Sequence, residues 1–444
     1  MQLVIVILGI ALILYLIAYK NWDAFVTLLG LALILGLLLG ETSTQVVASV
    51  EKGVGSILGN LALILGLGAM IAQLMEESGA AQVLAMTLIR HAGKKKIQWA
   101  VVLAGMIVSF ALFFDTAFIL LVPLIIAVAK QLKVSVLWIG MPAAFSLLAV
   151  HALFPPHPGP VAIAAGLHVN LGLEILLGLV VAGAAVVVGG ICYTRIFYRY
   201  SKRVVSRDTA DHAAENLPAA GHWGQVSFGA SLTVMLMPIV LIALSSAVQI
   251  FKLKGRIASC LLFIGSPVVA LLLTLFAAAY LLGVRQGKSF DYLMQHFIDS
   301  AKMVTAVILI NGAGGGLKQV LVDTGTTTYL AHLMAGVSLP PLIAGFLVAA
   351  LMRIVLGSAT IAAITALSIV KPLLVGTPVS PELVMLAIGA GSMACSQVND
   401  PGFWLFKQYF NVDVRTTFKT WTAMTTIGAC AALAVVLAMS CFIK

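Results

Sequence analysis

The sequence predicts an all-α polytopic membrane protein of two inverted repeats, each with a re-entrant hairpin and a broken transmembrane helix, about 10–12 spans in all. Three observations predict it. The first is composition. Of 444 residues, 61% are hydrophobic and 9% charged, with a mean hydropathy of +1.10, against about 25% charged in a soluble protein. The second is a pair of interrupted apolar stretches. Ser146–Ala162, SLLAVHALFPPHPGPVA, carries Pro155, Pro156, Pro158 and Pro160 around His157. Met393–Leu405, MACSQVNDPGFWL, carries Ser396, Gln397, Asn399 and Asp400 ahead of Pro401-Gly402. Each proline removes a backbone donor and its ring clashes with the preceding turn, so neither stretch is one continuous helix. Irregular backbone at membrane depth is tolerated only inside protein or beside a water-filled cavity. Two such breaks in corresponding places point to a binding site between two halves.

The third observation is internal repetition. Gly66, Gly68, Gln73 and Gly79 recur at one constant offset as Gly312, Gly314, Gln319 and Gly325. Polar hairpin tips follow (Asp115-Thr116, then Ser358–Thr360), and then the breaks (Pro158-Gly159, then Pro401-Gly402).

In chain order, Leu3–Tyr19 and Ala24–Gly40 are each apolar over nearly the length of a span. The first lacks a basic start and a small-residue cleavage site, so it reads as a retained helix. Glu41–Lys52 reads as a polar link and Gly53–Met75 as a glycine-rich span. Ala80–His91 is short and amphipathic, which suits the membrane interface. Ile97–Phe114 and Thr116–Ala129 form the first pair of arms, joined at Asp115; two full spans are the other reading. The broken span covers about 136–169, and Leu171–Tyr193 follows it. Val226–Phe251 and Ile257–Val284 read as two further spans, with Arg285–Ser300 as an amphipathic link. Then come the glycine-rich Ala301–Val322 and the short, amphipathic Gly325–Gly336. Leu342–Leu356 and Thr360–Leu374 pair as the second set of arms, the second break lies in Pro381–Phe410, and Phe418–Ile443 closes the chain. The expected domains are therefore 1–52, 53–195, a cytoplasmic linker at 196–225, connecting helices at 226–298, and 299–444.

The net charge of +10 does not indicate a nucleic-acid partner, because the basic residues sit in short loops between apolar runs. With Lys94–Lys96 in the cytoplasm and both pairs of arms re-entrant, most other basic loops fall on the same side, with Lys252, Lys254 and Arg256 as exceptions. The two halves then have opposite topology. The five cysteines lie in apolar surroundings without paired spacing, so neither a disulfide framework nor a zinc site is expected.

Asp115 is the sole acid between Ile97 and Ala129. An ionised carboxylate there costs about 2.5–3.5 kcal/mol on insertion scales, and intramembrane acids mark proton or ion paths. The alternative is a loop-tip acid in cytoplasmic water. Arg353 lies in the apolar run LVAALMRIVLGSAT. Its guanidinium fork suits a carboxylate, from an anionic substrate, Asp115 or Asp400; the alternative is snorkelling to the interface. Ser358, Thr360, Asn399 and Asp400 supply donors and acceptors for a polyhydroxylated ligand, or cap helices at the breaks. Helix starts after Pro158 and Pro401 also favour an anion. His157 and His151 flank the first break without metal-ligand spacing. His157 reads as a ligand contact or as a structural hydrogen-bonding group. Lys318 and Asn311 line a path or, for Lys318, pair with Asp323. No cofactor or metal is implied.

These motifs resemble the gluconate permease family of bacterial sugar-acid symporters. The matching segments are HALFPPHPGP (151–160), GAGGGLKQVLVDTG (312–325), RIVLGSATIAAITA (353–366) and SQVNDPGFWLFKQYF (396–410), with GKKKIQWAVVLAG (93–105) and FFDTAFILLVPL (113–124). The resemblance covers nearly the whole chain. The resemblance implies the ion transporter superfamily fold with inverted repeats and paired hairpins, homodimers and elevator movement. It also implies uptake of gluconate or related sugar acids with protons across the bacterial inner membrane. Two departures are visible: Asp115 stands where family members often have Glu, and Gln397 where they often have His.

The expected function is a proton symporter that imports a sugar-acid anion. Its carboxylate would be met by Arg353 or the helix starts, its hydroxyls by Ser358, Thr360 and Asn399, and Asp115, with Asp400 second, would carry the proton. A sodium-coupled carboxylate transporter is the near alternative. A passive anion channel is a third reading, and an intramembrane enzyme pairing Asp115 with Asp400 is argued against by the duplicated halves with a break in each.

Overall fold

The computed structural model describes residues 2–20, 22–155, 157–200, 226–250, 253–326, 328–329, 339–374 and 377–443. The expected linker from 201 to 225, Lys252 and most of the expected short element Gly325–Gly336 lie outside them.

Gln2–Leu14 (α1) and Ala24–Leu38 (α2) come first, with the Asp23 carboxylate accepting from the Val26 amide at 3.0 Å to start α2. Ser43–Glu77 (α3) is a single helix of 35 residues, roughly 52 Å long at 1.5 Å per residue. The expected polar link Glu41–Lys52 is thus mostly helix. Thr42 and Gln45 form a reciprocal capping box at its start, which satisfies donors that a helix end otherwise leaves open. Val46, Val50 and Gly53 face inward while Glu51 and Lys52 face out, so the polar residues occupy one face of a helix instead of ending it. The same holds for the expected link Arg285–Ser300. Helix α13, defined below, begins at Phe290 on a Ser289 cap and buries Leu293, Phe297 and Ser300. The expected boundaries at 52/53 and 298/299 both fall inside continuous helices.

Ala80–Ala111 (α4) is two helices meeting at Gly93, whose φ of 72° and ψ of 157° are not helical. Its second part pairs with Phe114–Leu132 (α5) as the first hairpin, turning at Leu112-Phe113. Val136–Leu153 (α6) and Pro158–Leu167 (α7) are the two pieces of the first broken helix. Leu171–Ala185 (α8) continues through a π-turn at Val186–Cys192 into Tyr193–Tyr200 (α9).

Phe228–Ile250 (α10) is followed by Arg256–Ile264 (α11) and Pro267–Ala278 (α12). The span expected at Ile257–Val284 is therefore divided at Gly265-Ser266. Pro267 lacks an N–H and its ring would clash one turn back, which forbids an interior helical position but suits the first position of a new helix.

Phe290–Asp323 (α13) leads to the second hairpin, Pro341–Leu356 (α14) and Ala359–Val370 (α15). Pro381–Met393 (α16) and Pro401–Tyr409 (α17) are the second broken helix. Val414–Thr417 (α18), a π-turn at Phe418–Thr422 and Ala423–Ser440 (α19) finish the chain. Among the described residues, eight helical stretches are long and apolar enough to cross a membrane, with five shorter apolar helices beside them.

The same order of elements occurs twice. A long helix ends on a left-handed glycine (Gly79, φ 81°; Gly325, φ 70°). A hairpin, a broken helix and a closing helix with a π-turn follow each time. The broken helices lie at the centre. Every residue from Ile139 to Val150, and from Glu382 to Met393, is buried, as expected of helices apolar on all sides.

Helices α3 and α13 pack along each other over a long contact. Their backbones meet at Gly53 and Gly315, where a Cβ on Gly53 would press into the Gly315 carbonyl and one on Gly315 into Ile57. Small residues that let helix backbones touch are a main source of membrane helix association. Gly53→Ala is expected to lower the thermal midpoint of the detergent-purified protein, with about 1–3 kcal/mol lost to overpacking. Gly55→Ala, in open space on the same helix, is expected to leave the midpoint unchanged or slightly raised.

Candidate functional site

Both hairpin tips, both breaks and the facing sides of α3 and α13 enclose a cavity of about 510 Å³, within the roughly 300–1,000 Å³ usual for small-molecule sites. Asp115, Arg353, Ser358, Thr360, Asn399 and Asp400 all line it. These positions come from distant parts of the sequence, and the fold brings them together.

The second tip and the second break are tied by one ion pair. Arg353 stands in the last turn of α14 and is 3% exposed, so it does not snorkel. Its Nη2 donates to Asp400 Oδ2 at 2.5 Å and its Nη1 to the Gly357 carbonyl at 3.0 Å. Asp400 Oδ2 also accepts from the Ser396 hydroxyl, and Oδ1 accepts from the Gly402 amide at 3.2 Å. The helix start after Pro401 is thus occupied by the protein's own carboxylate. Asn399 Nδ2 donates to the carbonyls of Ile354 (2.8 Å) and Val355 (3.1 Å), while its Oδ1 is buried without a partner. Ser358 caps α15 by accepting from the Ile361 amide at 3.5 Å. Capping and cavity lining coincide at Ser358 and at Asp400.

At the first tip, Asp115 sits in the first turn of α5, whose start carries no side-chain cap. Its carboxylate makes no hydrogen bond or ion pair with any described residue, yet it feels the charges of both Asp400 and Arg353. It lines the cavity. Beside it, Thr116 Oγ1 is buried without a partner.

The first break divides its histidines. His157 does not line the cavity; it is 2% exposed and its Nε2 donates to the Ser109 carbonyl at 2.8 Å. His151 lines the cavity instead, with its ring centroid 4.6 Å from that of His157. Gln397 is also off the cavity, donating to the Ile354 carbonyl at 3.0 Å.

Along α13, Asn311, Gly314, Gly315 and Lys318 line one wall. That spacing puts them on one helix face. Asp323 is not the partner of Lys318: it is held by Gln319 (2.7 Å), Ser49 (3.0 Å) and Lys52 (3.6 Å). Trp421 and the Pro267-Val268 start of α12 also reach the cavity. No proline or acid marks Trp421, whose neighbours are Lys419, Thr420 and Thr422, and only a Gly-Ser-Pro triplet marks the second. Trp421 Nε1 donates to Ser396 Oγ at 2.6 Å and so supports the ion pair from the π-turn that precedes α19.

A family model described as GntP family permease matches residues 1–442. The chain is 40% identical over 430 residues to a protein named high-affinity gluconate transporter from Escherichia coli (strain K12), covering 96% of each chain. It is 39% identical over 443 residues to the Gnt-II system L-idonate transporter of the same organism, covering 99% of each. It is 37% identical over 451 residues to a gluconate permease of Bacillus subtilis (strain 168), again covering 99% of each.

Removing one member of a buried ion pair leaves the other charge uncompensated. Arg353→Met is expected to cost about 3–5 kcal/mol, read as a lower melting midpoint in detergent. Arg353→Met combined with Asp400→Asn is expected to recover most of that loss, giving a large coupling in the double-mutant cycle.

Proposed function

Because this chain belongs to the GntP permease family, we propose that it is a secondary active transporter that imports gluconate or a related sugar acid together with protons. It is a multi-pass protein of the bacterial inner membrane and a permease, not an enzyme. The relatives' names support the substrate class.

One observation carries the coupling. With His151 neutral, two cations (Arg353, Lys318) and two carboxylates (Asp115, Asp400) line the cavity, so its formal charge is zero. Net charge in a dry site is expensive. A sugar-acid anion entering alone would leave the cavity at minus one; one proton entering with it restores neutrality. Asp115 is the carboxylate placed to take that proton. Asp400 is fixed by Arg353, Ser396 and the Gly402 amide, whereas Asp115 has no such partners among the described residues. The hydroxyl and amide groups of Ser358, Thr360 and Asn399 serve the ligand's hydroxyls, since each unmet polar group in such a site is costly.

The recurring order of elements supports a pair of inverted repeats, and tips that meet at one cavity support access alternating from the two sides. The assembly that the family resemblance implies is a homodimer.

In proteoliposomes with an inward proton gradient, labelled gluconate is expected to accumulate above equilibrium, to leak back on adding a protonophore, and to ignore sodium. Asp115→Asn is expected to abolish accumulation while still allowing exchange of labelled for unlabelled substrate. Uptake that needs sodium and survives the protonophore would falsify the proton reading.

A further inference from the structure

We propose that Lys318, and not Arg353, receives the substrate's carboxylate, with Asn311 two turns earlier on the same face of α13 contacting the adjoining hydroxyls. The proposal rests on the sugar-acid reading above and assigns the carboxylate end of that site. Lys318 is the cavity-lining cation that makes no ion pair or hydrogen bond with any described residue. Arg353 has already committed one terminal nitrogen to Asp400 and the other to the Gly357 carbonyl. Its Nε has no partner among the described residues and each terminal nitrogen keeps a second N–H, but a two-pronged grip on a second carboxylate would have to use a nitrogen already fixed on Asp400 or Gly357. A substrate carboxylate gripped there would compete with Asp400 for the same guanidinium and strain the second tip. Lys318 faces no such competition.

The rest of the α13 wall fits a polyol carboxylate. Both amide atoms of Asn311 are buried without partners. A buried amide that finds no partner costs on the order of 1–3 kcal/mol. Hydroxyls of a bound sugar acid can both donate to its oxygen and accept from its nitrogen. Gly314 and Gly315 lie between Asn311 and Lys318 on the lining face. Gly315 is closed on one side by Ile57 and Gly53 of α3, and at Gly314 the nearest atom to a side-chain position is the Asn399 carbonyl at 3.5 Å, so no side chain of α13 stands between the two groups. Across the cavity, Thr116 Oγ1 and Asn399 Oδ1 are two more buried atoms without partners, placed for hydroxyls farther along the chain.

The test is ligand binding to the purified full-length protein, by calorimetry, with gluconate and with its uncharged amide. Lys318→Met is expected to weaken gluconate by roughly 10–100-fold, the worth of a charge-assisted hydrogen bond. It should change affinity for the amide less than about threefold, because the hydroxyl contacts remain. Lys318→Arg should restore most of the gluconate affinity, and it keeps the question open to test should the methionine variant misfold. Equal gluconate affinity in wild type and Lys318→Met, or an equal loss for acid and amide, overturns this assignment alone. Wild-type protein that binds neither gluconate nor any other aldonate overturns the sugar-acid reading, and the assignment falls with it.

Discussion

The Arg353–Asp400 pair is the constraint on which the second half of the site depends. Two charges withdrawn from water cost several kcal/mol each before they gain anything from one another. They are tolerated because the remaining hydrogen-bonding capacity is largely met. The Gly357 carbonyl, the Ser396 hydroxyl and the Gly402 amide complete the set, and Trp421 extends it to the π-turn that opens the closing helix. The pair thereby joins four elements: the end of α14, the hairpin turn, the start of α17 and the closing helix. It also explains a glycine. Gly357 has a φ of +68°, and a Cβ there would overlap the Asn399 backbone. No other residue allows the tip to close on the break so tightly.

The two halves share backbone architecture but not chemistry. The first tip offers Asp115 and Thr116, and the first break a pair of histidines. The second tip offers Arg353 and Ser358, and the second break Asn399 and Asp400. Neither half alone holds both signs of charge at the cavity, apart from the internally satisfied Arg353–Asp400 pair. Asp115, the carboxylate proposed to take the proton, comes from one half, and Lys318, a cation with no partner among the described residues, comes from α13 in the other. A ligand that touches both therefore senses the relative position of the halves. That is the geometry a coupled transporter needs, because binding energy can then be spent on moving one part against another.

Much of this was legible because membranes forbid so much. Prolines in an apolar run at 155–160, and Asn399-Asp400 in another, break rules that lipid enforces strictly, so the breaks and the tips announced themselves. The alignment of Gly66–Gly79 with Gly312–Gly325 placed the long helices in register. What stayed hidden was phase and partnership. Glu41–Lys52 and Arg285–Ser300 look like links because their charges dilute the hydropathy, yet those charges fall on one helix face. The division at Gly265-Ser266 rests on a single proline. Asp115, Arg353, Ser358, Thr360, Asn399 and Asp400 could be named from their context, but that Arg353 was already paired, that His157 answers to the Ser109 carbonyl, and that Lys318 was left unpaired are facts of three-dimensional proximity. Spacing along one chain does not encode them.

Gln397 shows how such proximity changes the meaning of a substitution. The family resemblance sets a histidine at this position, and a titratable group next to Asn399-Asp400 would suggest a part in substrate or proton handling. In this chain Gln397 is turned from the cavity. Its Nε2 shares the Ile354 carbonyl with Asn399 Nδ2, at 3.0 Å and 2.8 Å. Two amides on one carbonyl fasten the last turn of α14 to the break, beside the ion pair. An imidazole could donate the same bond from one ring nitrogen, but its second nitrogen would need a partner or a proton, and the fastening would then vary with pH. An amide cannot change charge. The glutamine therefore makes the clasp between hairpin and break indifferent to pH. On the proposed mechanism, proton sensitivity then belongs to Asp115 across the cavity.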